Sequence, residues 1–204
     1  MISPKQAAQY CLDTYNTPAN FDRWIEVDGV VGGIKGNVIA LRGSRVLEDF
    51  IRDIEGIEPM HVDGVGTVGT GFYTGIESFY AQLGIKAGDS IVLTGHSLGC
   101  VHAAYIARLA IMCGVKVEQL ILFAPPRPGY LDFHAGLSAI ESIEAFHNTE
   151  EIIGDIVPDF PSTLPDYPWV QFQLKKICVK PEGLGQLNPI DWHSCSLYWQ
   201  GVPD

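Results

Sequence analysis

Apolar residues along this chain fall into short runs of two kinds, and their alternation predicts the architecture. "NVIALRG" (37–43), "SIVLTG" (90–95) and "VEQLILFAPP" (117–126) are nearly continuous apolar stretches of strand length, the pattern of strands covered on both faces. "IEAFHN" (143–148) and "VQFQLKKICV" (170–179) predict later strands, and "IEVDGVVGGIKGNVIALRG" (25–43) reads as a β-pair broken by glycines. Between these runs the spacing changes to that of helices. In "SRVLEDFIRDIE" (44–55), Leu47, Phe50, Ile51 and Ile54 stand at i, i+3, i+4 and i+7 with charges on the other side. Residues 7–15 predict a short helix. "SLGCVHAAYIARLAIMC" (97–113) predicts a small-residue helix able to lie flat on a sheet, and a glycine-rich stretch over 63–71 leads into a helix over 72–85.

Strands separated by helix-length segments imply βαβ units: an α/β fold with a mostly parallel central sheet and helices on both faces. No repeat, low-complexity tract or linker divides the 204 residues, so one domain spanning 1–204 is expected. In such sheets ligands collect at the carboxyl ends of the strands.

Composition narrows the partners. A formal net charge of -11 speaks against nucleic acid, which needs clustered Lys and Arg, and against docking on anionic membranes. No run approaches the roughly 18 apolar residues of a membrane span, so no stable membrane insertion is expected. The start "MISPKQAAQYCLDTY" lacks the basic and apolar regions of a signal peptide. Five widely spaced cysteines without a C-x-x-C pair read as free, mostly buried thiols of a reducing compartment. Cytoplasm is the expectation, with unconventional export left open. "HVDG" (61–64) is too sparse for a ligand set, so neither metal nor cofactor is expected.

The chemistry concentrates where the run "VLTGHSLGC" (92–100) ends. A serine between two glycines, after an apolar β-run and before a helix, is the G-x-S-x-G nucleophile elbow. Such a turn leaves the Ser97 oxygen at the positive end of the following helix and points the Leu98 N–H at a developing oxyanion. Serine is also a favoured helix N-cap, but a plain cap needs neither glycine. A serine nucleophile needs a base, and the base an orienting acid, in the chain order Ser, Asp or Glu, His. Of six histidines, His193 alone follows every plausible acid. Asp155 follows an apolar β-like run and a glycine, as a strand-end carboxylate would. Asp159 and Asp166 are flanked by prolines, and Asp191 is too close to His193 in sequence to orient it easily.

Assembled in this order, the sequence resembles the class 3 lipase family of α/β-hydrolases, the fungal triacylglycerol lipase type, from about Val38 to His193. "VIALRGS" resembles the family's strand before the oxyanion residue, Gly71-Phe72 its Gly-Phe motif, Gly95 to Gly99 its elbow and "FAPPRPG" its Phe-x-x-Pro-Arg-x-Gly segment. Asn148 and "DIVPDFP" resemble its acid-bearing loop. The resemblance implies an α/β-hydrolase fold with Ser97 as nucleophile, Asp155 as acid and His193 as base. It also implies an oxyanion hole from the N–H groups of Ser44 and Leu98, with Asp53 matching a family aspartate near the oxyanion residue. Cys100 stands where a glycine often follows the elbow and Gly69 where a histidine often precedes Gly-Phe, and the interval from Asn148 to Asp155 is longer than usual. Residues 45–55 match the region of the family's lid and equally fit an ordinary surface helix. The expected activity is hydrolysis of a small-molecule ester or lipid, acylglycerols foremost. The alternatives are a non-catalytic ligand-binding protein on a hydrolase scaffold, or an acyltransferase using the same residues.

Overall fold

The computed structural model describes residues 1–44, 57–150, 153–183 and 190–204. The helix predicted over 44–55, its lid reading and Asp53 fall outside the described residues. Helix α1 (Pro4–Asn16) opens on Ser3, whose hydroxyl accepts the Gln6 N–H at 3.2 Å, with Pro4 at the first helical position. A meander follows: β1 (Arg23–Val27), β2 (Val30–Lys35) and β3 (Val38–Leu41). The sequence predicted a pair over 25–43; the structure has three strands, because two-residue connections at Asp28-Gly29 and Gly36-Asn37 reverse the chain twice.

The hairpin β4 (Pro59–Val62) and β5 (Gly66–Gly69) comes next, so part of the glycine-rich stretch is a strand. The single helix predicted over 72–85 is two, α2 (Thr70–Tyr73) and α3 (Ile76–Leu83), interrupted at Thr74-Gly75. Then β6 (Ser90–His96), α4 (Leu98–Met112) and β7 (Lys116–Phe123) form the predicted βαβ unit. After α5 (Leu131–Ala135) come β8 (Ser142–Asn148), β9 (Leu174–Ile177) and α6 (Cys195–Gly201). Neither α5 nor α6 was expected, and β9 is shorter than its apolar run.

The main sheet has the order β1-β2-β3-β6-β7-β8-β9, parallel from β3 onward, with the antiparallel meander on one edge. Alternate residues of β7 face opposite layers. Leu120 and Leu122 pack with α3 and α4, while Ile121 and Phe123 pack with α1 and α6. Helices therefore cover both faces, which makes this the α/β-hydrolase arrangement expected from the alternation of runs. Small residues let α4 sit close to the strands: Ala103, Ala104, Ala107 and Ala110 are all fully buried. Each large side chain enclosed between layers, Phe79 and Phe133 among them, contributes about 3 kcal/mol from burial.

Register then fixes the functional edge. Leu41 of β3 pairs with Gly95 of β6, His96 of β6 with Phe123 of β7, and Phe123 with Phe146 of β8. The segments that follow these strands carry Ser44, Ser97 and Asp155, and so all three emerge at the same carboxyl edge. A cavity of about 390 Å³ at the opposite end, lined by Asn37 and Ser90 at strand starts, lies away from that edge.

Candidate active site

Ser97 joins β6 to α4 with φ 59° and ψ −130°, a conformation that L residues rarely adopt. The glycines on either side are demanded by contact. A Cβ on Gly95 would lie 2.2 Å from the Gly99 carbonyl oxygen, and one on Gly99 would lie 2.2 Å from that of Leu41. The Ser97 hydroxyl makes no capping hydrogen bond and has no partner among the described residues, although the residue is only 2 % exposed. The plain N-cap role is therefore not the one this serine plays. Cys100, in the place of the usual glycine, fits by directing its thiol at the Gly95 and Phe123 carbonyls, 3.1 Å from each.

Asp155 is fully buried and accepts three hydrogen bonds. The Val157 N–H reaches Oδ1 at 2.9 Å, while Oδ2 receives the Tyr198 hydroxyl at 2.6 Å and His193 Nδ1 at 2.7 Å. Burial alone would push this carboxyl up, but attraction to His193 and the hydrogen bonds from His193, Tyr198 and Val157 outweigh it and hold it below its ordinary value. A carboxylate oxygen can only accept, so His193 carries its hydrogen on Nδ1 and leaves the Nε2 lone pair free. Nε2 is buried and has no partner among the described residues.

The two ends of the long interval between Asn148 and Asp155 are hydrogen-bonded to each other. Thr149 bridges Gly154, the Glu150 N–H donates to the Ile153 carbonyl, and the Asp155 N–H donates to that of Asn148 at 2.9 Å. Asp155 thus follows Asn148 in space. Arg127, from the "FAPPRPG" segment, donates to the carbonyls of Asp159 and Pro161 and ties the next stretch down.

His193 is held by its backbone as well. Trp192 is fully buried beside it, and its carbonyl accepts the Asn148 side-chain amide at 3.2 Å. The His193 carbonyl accepts from His96 Nε2 at 2.8 Å. Ser44 lies on the wall of a cleft of about 480 Å³ with Tyr15, His96, His193 and Ser194, and Leu98 opens α4 with a first-turn N–H.

Sequence reasoning thus named Ser97, Asp155 and His193, which the structure brings to one edge, together with Ser44 and Leu98. It missed Tyr198, Tyr15 and the supporting part of His96. Tyr198 follows His193 on α6, the helix that apolar spacing did not predict. Of the five cysteines, Cys11, Cys100 and Cys195 are buried, and all five are free. Among the described residues no cluster of His, Cys, Asp and Glu has the makings of a metal site, and no helix is long and apolar enough to cross a membrane.

Two histidines beneath this edge predict acid sensitivity of the fold. Burial, and next the neighbouring His193, push His96 down to about 3; burial alone pushes His102 down to about 4. Between these values and the ordinary 6.5 the unfolded chain binds a proton that the folded one refuses, so stability falls as pH falls through that window. Each group will cost about 2 kcal/mol by pH 5. Urea unfolding at pH 7.5 and pH 5.0 reads the sum, and His102→Leu will remove about half of the drop. An equal drop in that variant would disprove the assignment.

Comparison with known proteins bears on the fold and the family. The class 3 lipase family profile, "Lipase (class 3)", matches residues 38–164. No curated protein matches the sequence closely enough to count as a relative. Among solved structures, the chain is similar to the nonglycosylated LIP2 lipase of Yarrowia lipolytica, with 17% identity, 93% of this chain and 91% of that one covered, and a TM-score of 0.58. It is similar to a lipase from Rhizopus microsporus var. chinensis at 13% identity, covering 95% and 82%, TM-score 0.58. A triacylglycerol lipase from Penicillium expansum matches at 15% identity, covering 85% and 77%, TM-score 0.56. These likenesses show the fold, and the profile match extends over well over half of the sequence: the chain belongs to the class 3 lipase family, a family of lipase-type carboxylic ester hydrolases.

Proposed function

We propose that this chain hydrolyses fatty-acid esters, acylglycerols among them, through an acyl-enzyme on Ser97, with His193 as base and Asp155 as its orienting acid. The observation that carries the reading is the state of two buried atoms. Ser97 Oγ and His193 Nε2 are both without partners among the described residues, while His193 Nδ1 is committed to Asp155.

In acylation, the Ser97 proton passes to His193 Nε2 as the Oγ–carbon bond forms. The carbonyl oxygen takes the negative charge and is held by the N–H groups of Ser44 and Leu98. Collapse breaks the bond to the alcohol, and His193 returns its proton to the departing oxygen. Water then repeats the sequence: it gives a proton to His193, attacks the acyl carbon, and Ser97 recovers its proton as the acid leaves. The Penicillium expansum relative, a triacylglycerol lipase by name, supports acylglycerols as the substrate class.

A serine-directed fluorophosphonate probe tests the reading. One label per chain, on Ser97 and lost on prior denaturation, is expected, together with hydrolysis of p-nitrophenyl esters. The optimum between two and sixteen carbons will tell an esterase from a lipase. A chain that neither labels nor hydrolyses any ester would overturn the proposal and favour a ligand-binding scaffold, while transfer to an added alcohol in preference to water would mark an acyltransferase.

A further inference from the structure

The N-terminal helix lies outside the segment that matches the family profile, yet its last turn sends a side chain into the active edge. The Tyr15 hydroxyl stands 3.0 Å from the Gly43 N–H and 3.0 Å from His96 Nδ1. His96 Nε2 stands 2.8 Å from the His193 carbonyl oxygen. We infer that Tyr15 is a positioning residue of the hydrolytic site, joining the oxyanion turn at Gly43-Ser44 to the segment carrying His193 through the His96 ring. This rests on the proposed function, because it assigns Tyr15 a part in that same reaction.

Donor and acceptor roles follow from one fixed point. A carbonyl oxygen only accepts, so His96 carries its hydrogen on Nε2. Its Nδ1 is then a lone pair, and the Tyr15 O–H must be the donor to it. The same hydroxyl accepts the Gly43 N–H. From Gly43 to His193 every group is used, and no other arrangement of hydrogens on a neutral His96 satisfies all three contacts.

Two consequences bear on chemistry. Gly43 packs directly on the nucleophile, since a Cβ there would lie 2.8 Å from Ser97 Cβ and 2.5 Å from the His96 carbonyl oxygen. Whatever fixes Gly43 therefore fixes the next N–H, that of Ser44, relative to Ser97. The second concerns charge. The His96 and His193 rings lie 4.6 Å apart between centroids, tilted by 35°. A cation on His96 would oppose the imidazolium that forms on His193 as it takes the Ser97 proton. With the Tyr15 hydroxyl donating to Nδ1 and a carbonyl accepting from Nε2–H, a second proton on His96 would have to displace the Tyr15 hydrogen bond. Burial acts in the same direction. Tyr15 thus serves the two halves of the reaction that must be aligned, the place where negative charge develops and the base that becomes positive.

The test is Tyr15→Phe, which keeps the ring and removes only the hydroxyl. The expected result is a 10- to 100-fold loss of kcat on a short p-nitrophenyl ester with KM changed less than twofold, because the alignment is needed in the transition state. His96→Gln, whose amide offers one donor for His193 and one acceptor for Tyr15, is expected to keep at least a tenth of the wild-type kcat. His96→Leu will fall as far as Tyr15→Phe or further. Nitrogen-15 NMR of the wild-type imidazoles supplies a readout independent of turnover: His96 is expected to show a protonated Nε2 and a hydrogen-bonded, unprotonated Nδ1. Active wild type with an undiminished kcat in Tyr15→Phe would overturn the inference alone. So would a wild-type His96 protonated on Nδ1, which holds the test open if the variants fail to fold. Inactive wild type would instead strike the proposed function, and the inference with it.

Discussion

Replacing Ser97 with alanine will lower ester hydrolysis by at least four orders of magnitude while leaving the protein as stable as before or more so. The two halves of this result have separate causes. Removing the nucleophile leaves only binding and oxyanion contacts to act on the ester, and such residual catalysis is typically about 10⁴ to 10⁶ below that of the intact site. Stability moves the other way. The Ser97 hydroxyl is buried without a partner among the described residues, and its backbone is held at φ 59°. Deleting a buried, unsatisfied hydroxyl relieves a desolvation cost of about 1 kcal/mol, and Ser97→Gly relieves the backbone strain as well. For a chain of this size that corresponds to a rise in Tm of about 2–4 °C per kcal/mol. Turnover with p-nitrophenyl butyrate and a thermal melt on the same preparations check both. Ser97→Ala retaining more than 1% of wild-type turnover would remove Ser97 from the mechanism.

The opposite signs of these effects also explain why this residue was legible in the sequence. Two glycines around a serine at the end of an apolar run are a poor solution to strand or helix stability, so the local pattern itself signalled a constraint. Asp155 and His193 were singled out through the chain order expected of an α/β-hydrolase, and the structure brings their side chains within 2.7 Å of each other. Tyr15, His96 and Tyr198 were not. Their roles arise from hydrogen bonds across 81, 97 and 43 residues of sequence, and nothing near a tyrosine in an N-terminal helix announces what its hydroxyl will reach. His96 was set aside because it precedes every acid, which excluded it as base but said nothing of it as support.

The fold divides in the same way. Buried parallel strands such as β6 and β7 show themselves as apolar runs. β5 does not, since "GTVG" has one large apolar residue, and that strand exists because it pairs with Pro59–Val62 and because Val68 bridges Gly129. Tertiary pairing overrode a weak local preference there. Helix α6 was hidden by its brevity, and its order comes from packing Cys195 and Tyr198 against α1 and the sheet.

Asp155→Asn separates the roles of charge and shape at the centre of this network, and it is expected to be as inactive as a nucleophile variant for a different reason. Asparagine has the shape of aspartate but offers one oxygen and one NH₂ group. In the native site Oδ1 faces the Val157 N–H, and Oδ2 faces both the Tyr198 hydroxyl and His193 Nδ1. Every neighbour donates to the native carboxylate, so the NH₂ group can be placed only by giving up one of these hydrogen bonds. Placed at Oδ1, it meets a backbone N–H that cannot turn away. Placed at Oδ2, it forces His193 to present a lone pair at Nδ1, which moves the hydrogen to Nε2 and leaves the imidazole unable to accept the Ser97 proton. A loss of kcat of about 10⁴ is expected from the wrong tautomer alone. Unlike Ser97→Ala, this variant will also lose about 3 kcal/mol of stability, because it breaks a buried, fully used set of hydrogen bonds around a charge. The pair of measurements is diagnostic: inactivity with undiminished stability belongs to the nucleophile, and inactivity with lost stability to the orienting acid. Asp155→Asn with kcat within tenfold of wild type would mean that another carboxylate orients His193. The hydrogen bond at 2.7 Å would then be structural.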